Sequence, residues 1–302
     1  DVDILDNLSK GHRAALRCSN FHELDLGSFD NILEHFSTHS YDTVFHFAAN
    51  ALVGESVSNP SIYYSNNVIA AFNLLEAMRL TRHHKIVFSS SCAVYGYPRT
   101  LPMDEGHPKN PVSPYGRTKL AMEWMLEDYH TAYGLKSASL RYFNAAGCEH
   151  LRGLGEDHDP ESHLIPNVVK AALKQAPELV IFGKDYPTPD GTCIRDYVHV
   201  TDLAQAHISA MLKLEEEEVV QLNLGTGVGL SNLQIVEAVS RASQVELNPR
   251  FAPRRLGDPS ELVADASKAQ KMLNWKPSRS DINSIVNEVI EWFSNNPHGY
   301  AK

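Results

Sequence analysis

The 302 residues are enough for a substantial core and for either two domains or one extended α/β unit. Lys and Arg number 27 against 37 Asp and Glu, so the net charge is −10 with the 15 His neutral, which argues against nucleic acid or an anionic membrane as partner and leaves phosphate-bearing small molecules open. Apolar residues at 43% and charged ones at 21% are ordinary for a globular chain. No apolar run approaches the roughly 18 residues that span a bilayer, and Cys18, Cys92, Cys148 and Cys193, with no CxxC pair among them, read as free thiols of a reducing cytoplasm.

In chain order, Val2–Leu5 predicts a short strand ending at Asp6 and Asn7. An acidic residue at that place in a dinucleotide-binding unit accepts hydrogen bonds from ribose hydroxyls and repels a 2′-phosphate; alone, it reads equally as a turn former. Phe21–Leu26 predicts a strand carrying Asp25 and Leu26 to its end, residues 28–40 a helix, and Thr43–Asn50 a buried strand in which Phe47, Ala48 and Ala49 come last. A helix follows Pro60, with Val68, Phe72, Leu75 and Met78 at three- and four-residue spacing. Asn66 and Asn67 interrupt that apolar pattern, so one of them is expected to bond a cofactor or the backbone.

Lys85–Gly96 (KIVFSSSCAVYG) is a β-branched and apolar run ending in hydroxyls. Chemistry in an open parallel sheet sits beyond the carboxyl ends of strands, which is where Ser89, Ser90 and Ser91 fall. In Ser113–Leu120 (SPYGRTKL), Pro114 suits the first position of a helix and Ser113 its cap. Tyr115 and Lys119, four apart, then share one face. A neighbouring cation favours phenolate, as a general base acting on a hydroxyl requires, although such a pair also occurs by chance on many helices. Leu140–Gly147 (LRYFNAAG) repeats the plan of a strand followed by small residues.

Beyond Gly147 the composition changes, and residues 148–163 read as a loop leaving the sheet. His158, Asp159 and His163 suggest a metal, but hydrolytic or Lewis-acid chemistry is not what a Tyr/Lys pair performs, so none is expected. A helix over His163–Gln175 and a strand over Glu178–Gly183 follow. In Asp185–His207, the Arg195 guanidinium suits a diphosphate, or else pairs with Asp196 or Asp202. Arg255 and Asp258 lie in a Pro/Gly-bounded turn, residues 252–258. Glu215–Glu218 is a solvated turn, and the glycine-rich Asn223–Ser231 leads into a helix over 231–243. Helices over 267–273 and 281–294 close the chain.

The ordered set SSSxxVYG, PYGxxK and RYFN, with the run Asp185–His207 behind it, resembles the extended short-chain dehydrogenase/reductases, in particular their UDP-glucose 4-epimerase branch. The likeness extends over the whole chain to GYAK. It implies an α/β fold: a Rossmann-like doubly wound parallel sheet over 1–147, to which 196–227 returns, and a smaller α/β nucleotide-sugar domain over 148–302. No Gly precedes Gly11, so either the chain is a fragment of a longer protein or it has lost the family's first strand, GxxGxxG turn and helix; the chain as written predicts unpaired strand edges in the middle of the sheet. Ala51 also stands where some relatives place a Lys on the pyrophosphate.

The resemblance further implies NAD, held by Asp6, Asn7, Asp25, Leu26, Phe47, Ala48, Ala49, Asn66, Tyr115, Lys119 and Tyr142. It assigns Tyr115, Lys119 and Ser91 to catalysis. A UDP-sugar is assigned to Ser91, Tyr115, Asn144, His163, Leu164, Phe182, Arg195, Arg255 and Asp258. A homodimer through the helices near 61–80 and 114–133 is implied as well. Dehydratases and decarboxylases of nucleotide sugars place acidic groups beside the hydroxyl residue, whereas Cys92 and Ala93 follow Ser91 here. Leu262 and His163 depart from the pattern near the sugar, so a UDP-pentose or UDP-N-acetylhexosamine 4-epimerase is the neighbouring alternative, and a non-catalytic binding protein the more distant one.

Overall fold

The computed structural model describes residues 1–176, 178–255 and 257–300; Leu256 of the basic turn and the last two residues of GYAK lie outside it. The chain divides into two compact units. One comprises Asp1–Tyr97, Pro108–Arg141 and His207–Leu222; the other comprises Pro98–His107, Tyr142–Ala206 and the chain from Asn223 onward.

In the first unit the elements are β1 (Asp3–Asp6), β2 (Asn20–Glu23), α1 (Phe29–Thr38), β3 (Val44–His46), α2 (Val53–Ser58), α3 (Pro60–Tyr64), α4 (Ala70–Leu80), β4 (Lys85–Ser91), α5 (Pro114–Tyr133) and β5 (Lys136–Tyr142). Parallel pairing sets Val44 opposite Ile86 and His46 opposite Phe88. Further along the chain, β9 (Val219–Leu224) completes a sheet in the order β3, β4, β5, β9. β1 and β2 pair in parallel with each other as a separate sheet, Asp3 opposite Asn20 and Asp6 opposite Glu23. Among the described residues no strand pairing joins these two sheets.

Packing, not pairing, joins the two sheets. Ile32 and Phe36 of α1 meet Leu74, Leu75 and Met78 of α4, Ile86 and Phe88 of β4, and Met122 and Leu126 of α5 in one buried cluster, with Leu5 and Val44 against it. Apolar burial of this kind contributes about 25 cal/mol per Å² removed from water.

Among the element boundaries that differ from the sequence expectation, two strands end early where local polar bonds replace the ladder, and one helix is interrupted. β2 stops at Glu23 because Asp25 begins a turn: its carboxylate accepts from Gly27 N at 2.6 Å and its carbonyl from Ser28 N at 2.9 Å. β3 stops at His46 because the Asn67 amide grips the segment beyond it, accepting from Asn50 N at 2.8 Å and donating to Asn50 O at 2.9 Å. The helix after Pro60 is interrupted by a π-helical turn, Ser65–Ile69, which holds Asn66 and Asn67.

The second unit holds β6 (Asn144–Ala146), α6 (Leu164–Ala172), β7 (Val180–Phe182), β8 (Ile194–His199) and the start of α7 (Val200–Lys213), then β10 (Gly229–Ser231), α8 (Asn232–Ser243), β11 (Arg250–Ala252), β12 (Glu261–Leu262), α9 (Ser267–Leu273) and α10 (Ile282–Asn295). β8 is central, parallel to β6 and β12 and antiparallel to β10. Three helices bury their apolar stripes on one another through Ile165, Val168 and Val169 of α6, Ile235 and Val239 of α8, and Ile285, Val289 and Phe293 of α10.

A feature with no sequence signature fastens α5 to the sheet. Glu123 and Arg141 are both fully buried. Arg141 donates to both Glu123 oxygens at 2.8 and 2.7 Å, to the Tyr95 hydroxyl at 2.9 Å and to Gln221 Oε1 at 2.8 Å, while Ser90 Oγ donates to Glu123 at 2.6 Å. Glu123→Ala strands a buried guanidinium, and urea unfolding should show a loss of about 3–5 kcal/mol; a change below about 1 kcal/mol would show the pair to be idle.

Candidate active site

Three of the expected catalytic residues come from two adjoining stretches of the first unit. β4 delivers Ser89–Ser91 to the carboxyl end of the sheet, and α5 begins with Ser113 Oγ accepting from Gly116 N at 3.1 Å. Gly116 permits the approach: a Cβ there would lie 2.4 Å from Ala93 O. That contact sets the first turn of α5 against the turn after Ser91. Gly116 escaped the sequence reading although it sits between Tyr115 and Lys119, because only the close packing shows why it must be small.

Lys119 is 3% exposed and lies 4.9 Å from the centroid of the Phe88 ring and 5.9 Å from that of Tyr115. Its Nζ donates to Ser89 O at 2.7 Å. Burial brings the amine down to about 7 and pushes the Tyr115 phenol up to about 12, the Ser91 hydroxyl pulling the phenol the other way. The simple expectation of a phenol lowered by its neighbour is thus reversed within the protein alone, because desolvation of the phenolate outweighs the pull of the Ser91 hydroxyl. His46, buried close by, is brought down to about 3 by burial and by the Lys119 charge, so it stays neutral.

The expected cofactor residues also lie in the first unit, apart from Tyr142, which ends β5. Asp6 closes β1; its Oδ1 accepts from Leu8 N at 2.7 Å, and a Cβ on Gly11 would meet its carboxylate at 2.9 Å. Asn7 Nδ2 donates to Asp25 Oδ2 at 3.1 Å, which links the ends of β1 and β2. Leu26 turns its side chain to the core while its carbonyl accepts from Asn73. Phe47, 57% exposed, and Ala48 form a bare apolar end to β3. Asn67 is consumed by Asn50 and by Thr118 Oγ1 at 3.1 Å, which leaves the half-buried Asn66 as the member of the pair with capacity for a ligand. These features fit a dinucleotide: apolar surface for a flat ring, carboxylates at strand ends for ribose, and a buried amine with only one of its donors engaged by a described residue.

In the second unit, Arg195 pairs with Asp258, not with Asp196 or Asp202, and donates to Pro259 O at 2.8 Å. Asp196 accepts instead from the backbone N of Thr226, Gly227 and Ala264 at 2.8, 3.0 and 3.1 Å. Those bonds occupy the amides of the glycine-rich turn, which is why it is no phosphate cradle. Asp202 accepts from Ser280 and from Arg279 N. Arg255 is exposed and stacks 4.1 Å from the Phe182 ring centroid, with no ion pair to a described residue. Asn144 lies in β6 opposite Tyr197. His163 caps α6 ahead of Leu164, its Nδ1 held by Glu156.

A Ser–Tyr–Lys group at the carboxyl end of a parallel sheet, with α5 as its carrier, defines the class of extended short-chain dehydrogenase/reductases. The family model described as GDP-mannose 4,6 dehydratase matches residues 2–289. The UDP-glucose 4-epimerase of Halalkalibacterium halodurans is 47% identical over 302 residues, covering 99% of this chain and 90% of its own. The crystal structure of UDP-glucose 4-epimerase from Brucella ovis in complex with NAD is 47% identical with a TM-score of 0.92, covering 96% of this chain and 89% of its own. The Bifidobacterium longum UDP-glucose 4-epimerase in complex with NAD+ and UDP is 37% identical with a TM-score of 0.94, at 98% and 91% coverage. This chain belongs to the UDP-glucose 4-epimerase family.

The buried amine has a measurable consequence. With the Lys119 folded value near 7 and its unfolded value near 10.5, the unfolded chain binds more protons between those pH values, so stability rises across that window and the penalty is fully present below it. Urea unfolding at pH 7 and pH 9.5 should show that rise in the wild type and a smaller one in Lys119→Met; equal slopes would contradict the buried, deprotonating amine.

Proposed function

We propose that this chain is an NAD-dependent UDP-glucose 4-epimerase, interconverting UDP-glucose and UDP-galactose through a 4-keto sugar, in cytoplasmic galactose metabolism. The observation that carries the reading is the half-buried Tyr115 one helical turn from the buried Lys119 amine, at the strand end bearing Ser91. Bound NAD contributes reversible hydride exchange at the sugar's C4, being transiently reduced.

Tyr115 removes the proton from the C4 hydroxyl as C4 is oxidised and returns it after the keto sugar has turned over. Ser91 Oγ hydrogen-bonds the same oxygen, stabilising the charge on it and relaying the proton. Lys119 would use its free donors for the nicotinamide ribose hydroxyls, and, kept protonated by those bonds, its positive charge would favour phenolate. Asp6, Asn7, Asp25 and Leu26 take the adenosine end; Phe47, Ala48, Ala49, Asn66 and Tyr142 take the remainder of the cofactor. An acidic Asp6 at the ribose favours NAD over a 2′-phosphorylated dinucleotide.

Arg195 and Arg255 hold the diphosphate, with Phe182 and Asp258 at the nucleoside and Asn144, His163 and Leu164 completing the substrate contacts. Gripping the invariant UDP leaves the sugar free to swing, so remote binding energy retains the intermediate. Cys92 and Ala93 offer no acid for removing a proton from the neighbouring carbon, which speaks for epimerisation over dehydration. Ile69 just before α4, Phe72 on α4 and Trp124 on α5 are exposed apolar residues along the two helical segments proposed for a homodimer. Among the described residues no helix is long and apolar enough to cross a membrane.

The test is 4-epimerisation of UDP-galactose by the NAD-loaded chain, followed by sugar analysis. Tyr115→Phe should lower kcat by about 10²–10⁴-fold. Arg255→Ala should raise KM by about 10-fold or more with a smaller effect on kcat. No turnover by the loaded wild type, or full turnover by Tyr115→Phe, would refute the assignment.

A further inference from the structure

The segment of the second unit that leads into α6 brings together Glu156, His158, Glu161 and His163, whose donor atoms all lie within 4.8 Å of one another. His158 Nδ1 is 3.1 Å from Glu156 Oε1 and 3.8 Å from Glu161 Oε1. His163 Nδ1 contacts the same Glu156 oxygen and lies 3.6 Å from Glu161 Oε1. Both imidazoles thus turn the same nitrogen toward the same two carboxylates. Asp159, singled out in the sequence beside the two histidines, is not in the group.

Two details separate this cluster from surface ion pairs. The Glu161 side chain is 5% exposed, and its Oε2 is buried with no hydrogen-bond partner, a costly state for a carboxylate oxygen unless something else satisfies it. The backbone is also fixed before any ligand arrives. Ser162 N and His163 N donate to Glu161 Oε1 at 2.8 and 2.9 Å, Trp292 Nε1 donates to Glu156 O at 3.0 Å, and Tyr300 bonds Gly155 and Asp157. Two imidazoles and two carboxylates, one of them with a buried unpartnered oxygen, are thus held within 4.8 Å of one another on a fixed backbone.

We propose that Glu156, His158, Glu161 and His163 bind a divalent transition-metal ion of the Zn2+ type, which clamps the loop ahead of α6. Two imidazole nitrogens and two carboxylates suit a four-coordinate borderline ion and disfavour Mg2+ or Ca2+, which take oxygen. Two carboxylates also cancel the ion's charge, so a half-buried site carries no net penalty. The ion is structural: the sequence argument against a metal concerned catalysis, which Tyr115 and Lys119 perform without one. The metal site shares His163 with the proposed substrate contacts, and it is tested below by Zn2+ and Co2+ binding without turnover.

A second cluster, His22, His35 and His39, lies in the first unit and serves as the control. Asp3 Oδ2 lies 3.7 Å from its His22 Nε2, but His35 Nε2 and His39 Nδ1 are engaged with the Tyr41 hydroxyl and the His35 carbonyl. The experiment uses the full chain, stripped with a chelator and titrated calorimetrically with ZnCl2, then with CoCl2 followed by visible absorption. One equivalent of Zn2+ should bind with Kd below about 1 µM and raise Tm. Co2+ should give the intense d–d bands of a four-coordinate site, a readout that needs no variant. His158→Ala and Glu161→Gln, checked for folding by circular dichroism, should each weaken Zn2+ binding by about 100-fold, and His39→Ala should leave it unchanged. Wild-type binding weaker than about 50 µM, octahedral Co2+ bands, or affinity lost with His39→Ala but kept in the other two variants would overturn the proposal.

Discussion

A charge pair with no access to water, Glu123 with Arg141, fixes α5, which carries Tyr115 and Lys119, against β4 and β5. Removing two ions from water costs several kcal/mol each, and their attraction offsets this only when every remaining donor and acceptor is satisfied. Here Ser90, Tyr95 and Gln221 complete the set. Because Ser90 immediately precedes Ser91 and Glu123 lies one turn beyond Lys119, the same bonds register α5 along β4. A hydrophobic contact would allow that helix to slide; a bidentate guanidinium does not.

Registered in this way, the helix carries two groups into a place where neither is comfortable charged. Burial works on the phenol and on the amine in opposite directions, raising the one and lowering the other. A site with this character stays inert until a charged, hydroxyl-bearing ligand supplies what water does not. The spare donors of Lys119 and the bare Phe47 and Ala48 are the features on which such a ligand would act.

What could be read in the sequence was local. Pro114 after Ser113, the interval from Tyr115 to Lys119, and helices over 267–273 and 281–294 follow from caps and periodicity, and the structure reproduces them to within a residue or so. What could not be read was the choice of partner. Arg195 has two acidic neighbours in sequence and pairs with neither, because Asp196 is engaged by a backbone turn that closes on it and Asp202 by Ser280 and Arg279. Asn67 ends a strand from 17 residues away, and nothing in its own surroundings predicts that. The donors of the 156–163 loop were visible singly, but their convergence depends on Trp292 and Tyr300 anchoring the backbone from the far end of the chain.

The central claim is that the charge on Lys119 governs whether Tyr115 ionises in the loaded enzyme. It is tested most directly by ultraviolet difference titration of the Tyr115 phenol in the NAD-bound protein, isolated by subtracting the Tyr115→Phe spectrum, with and without Lys119→Met. The account predicts that tyrosinate appears at distinctly lower pH when the lysine is present; superimposable titrations in the two backgrounds would contradict it.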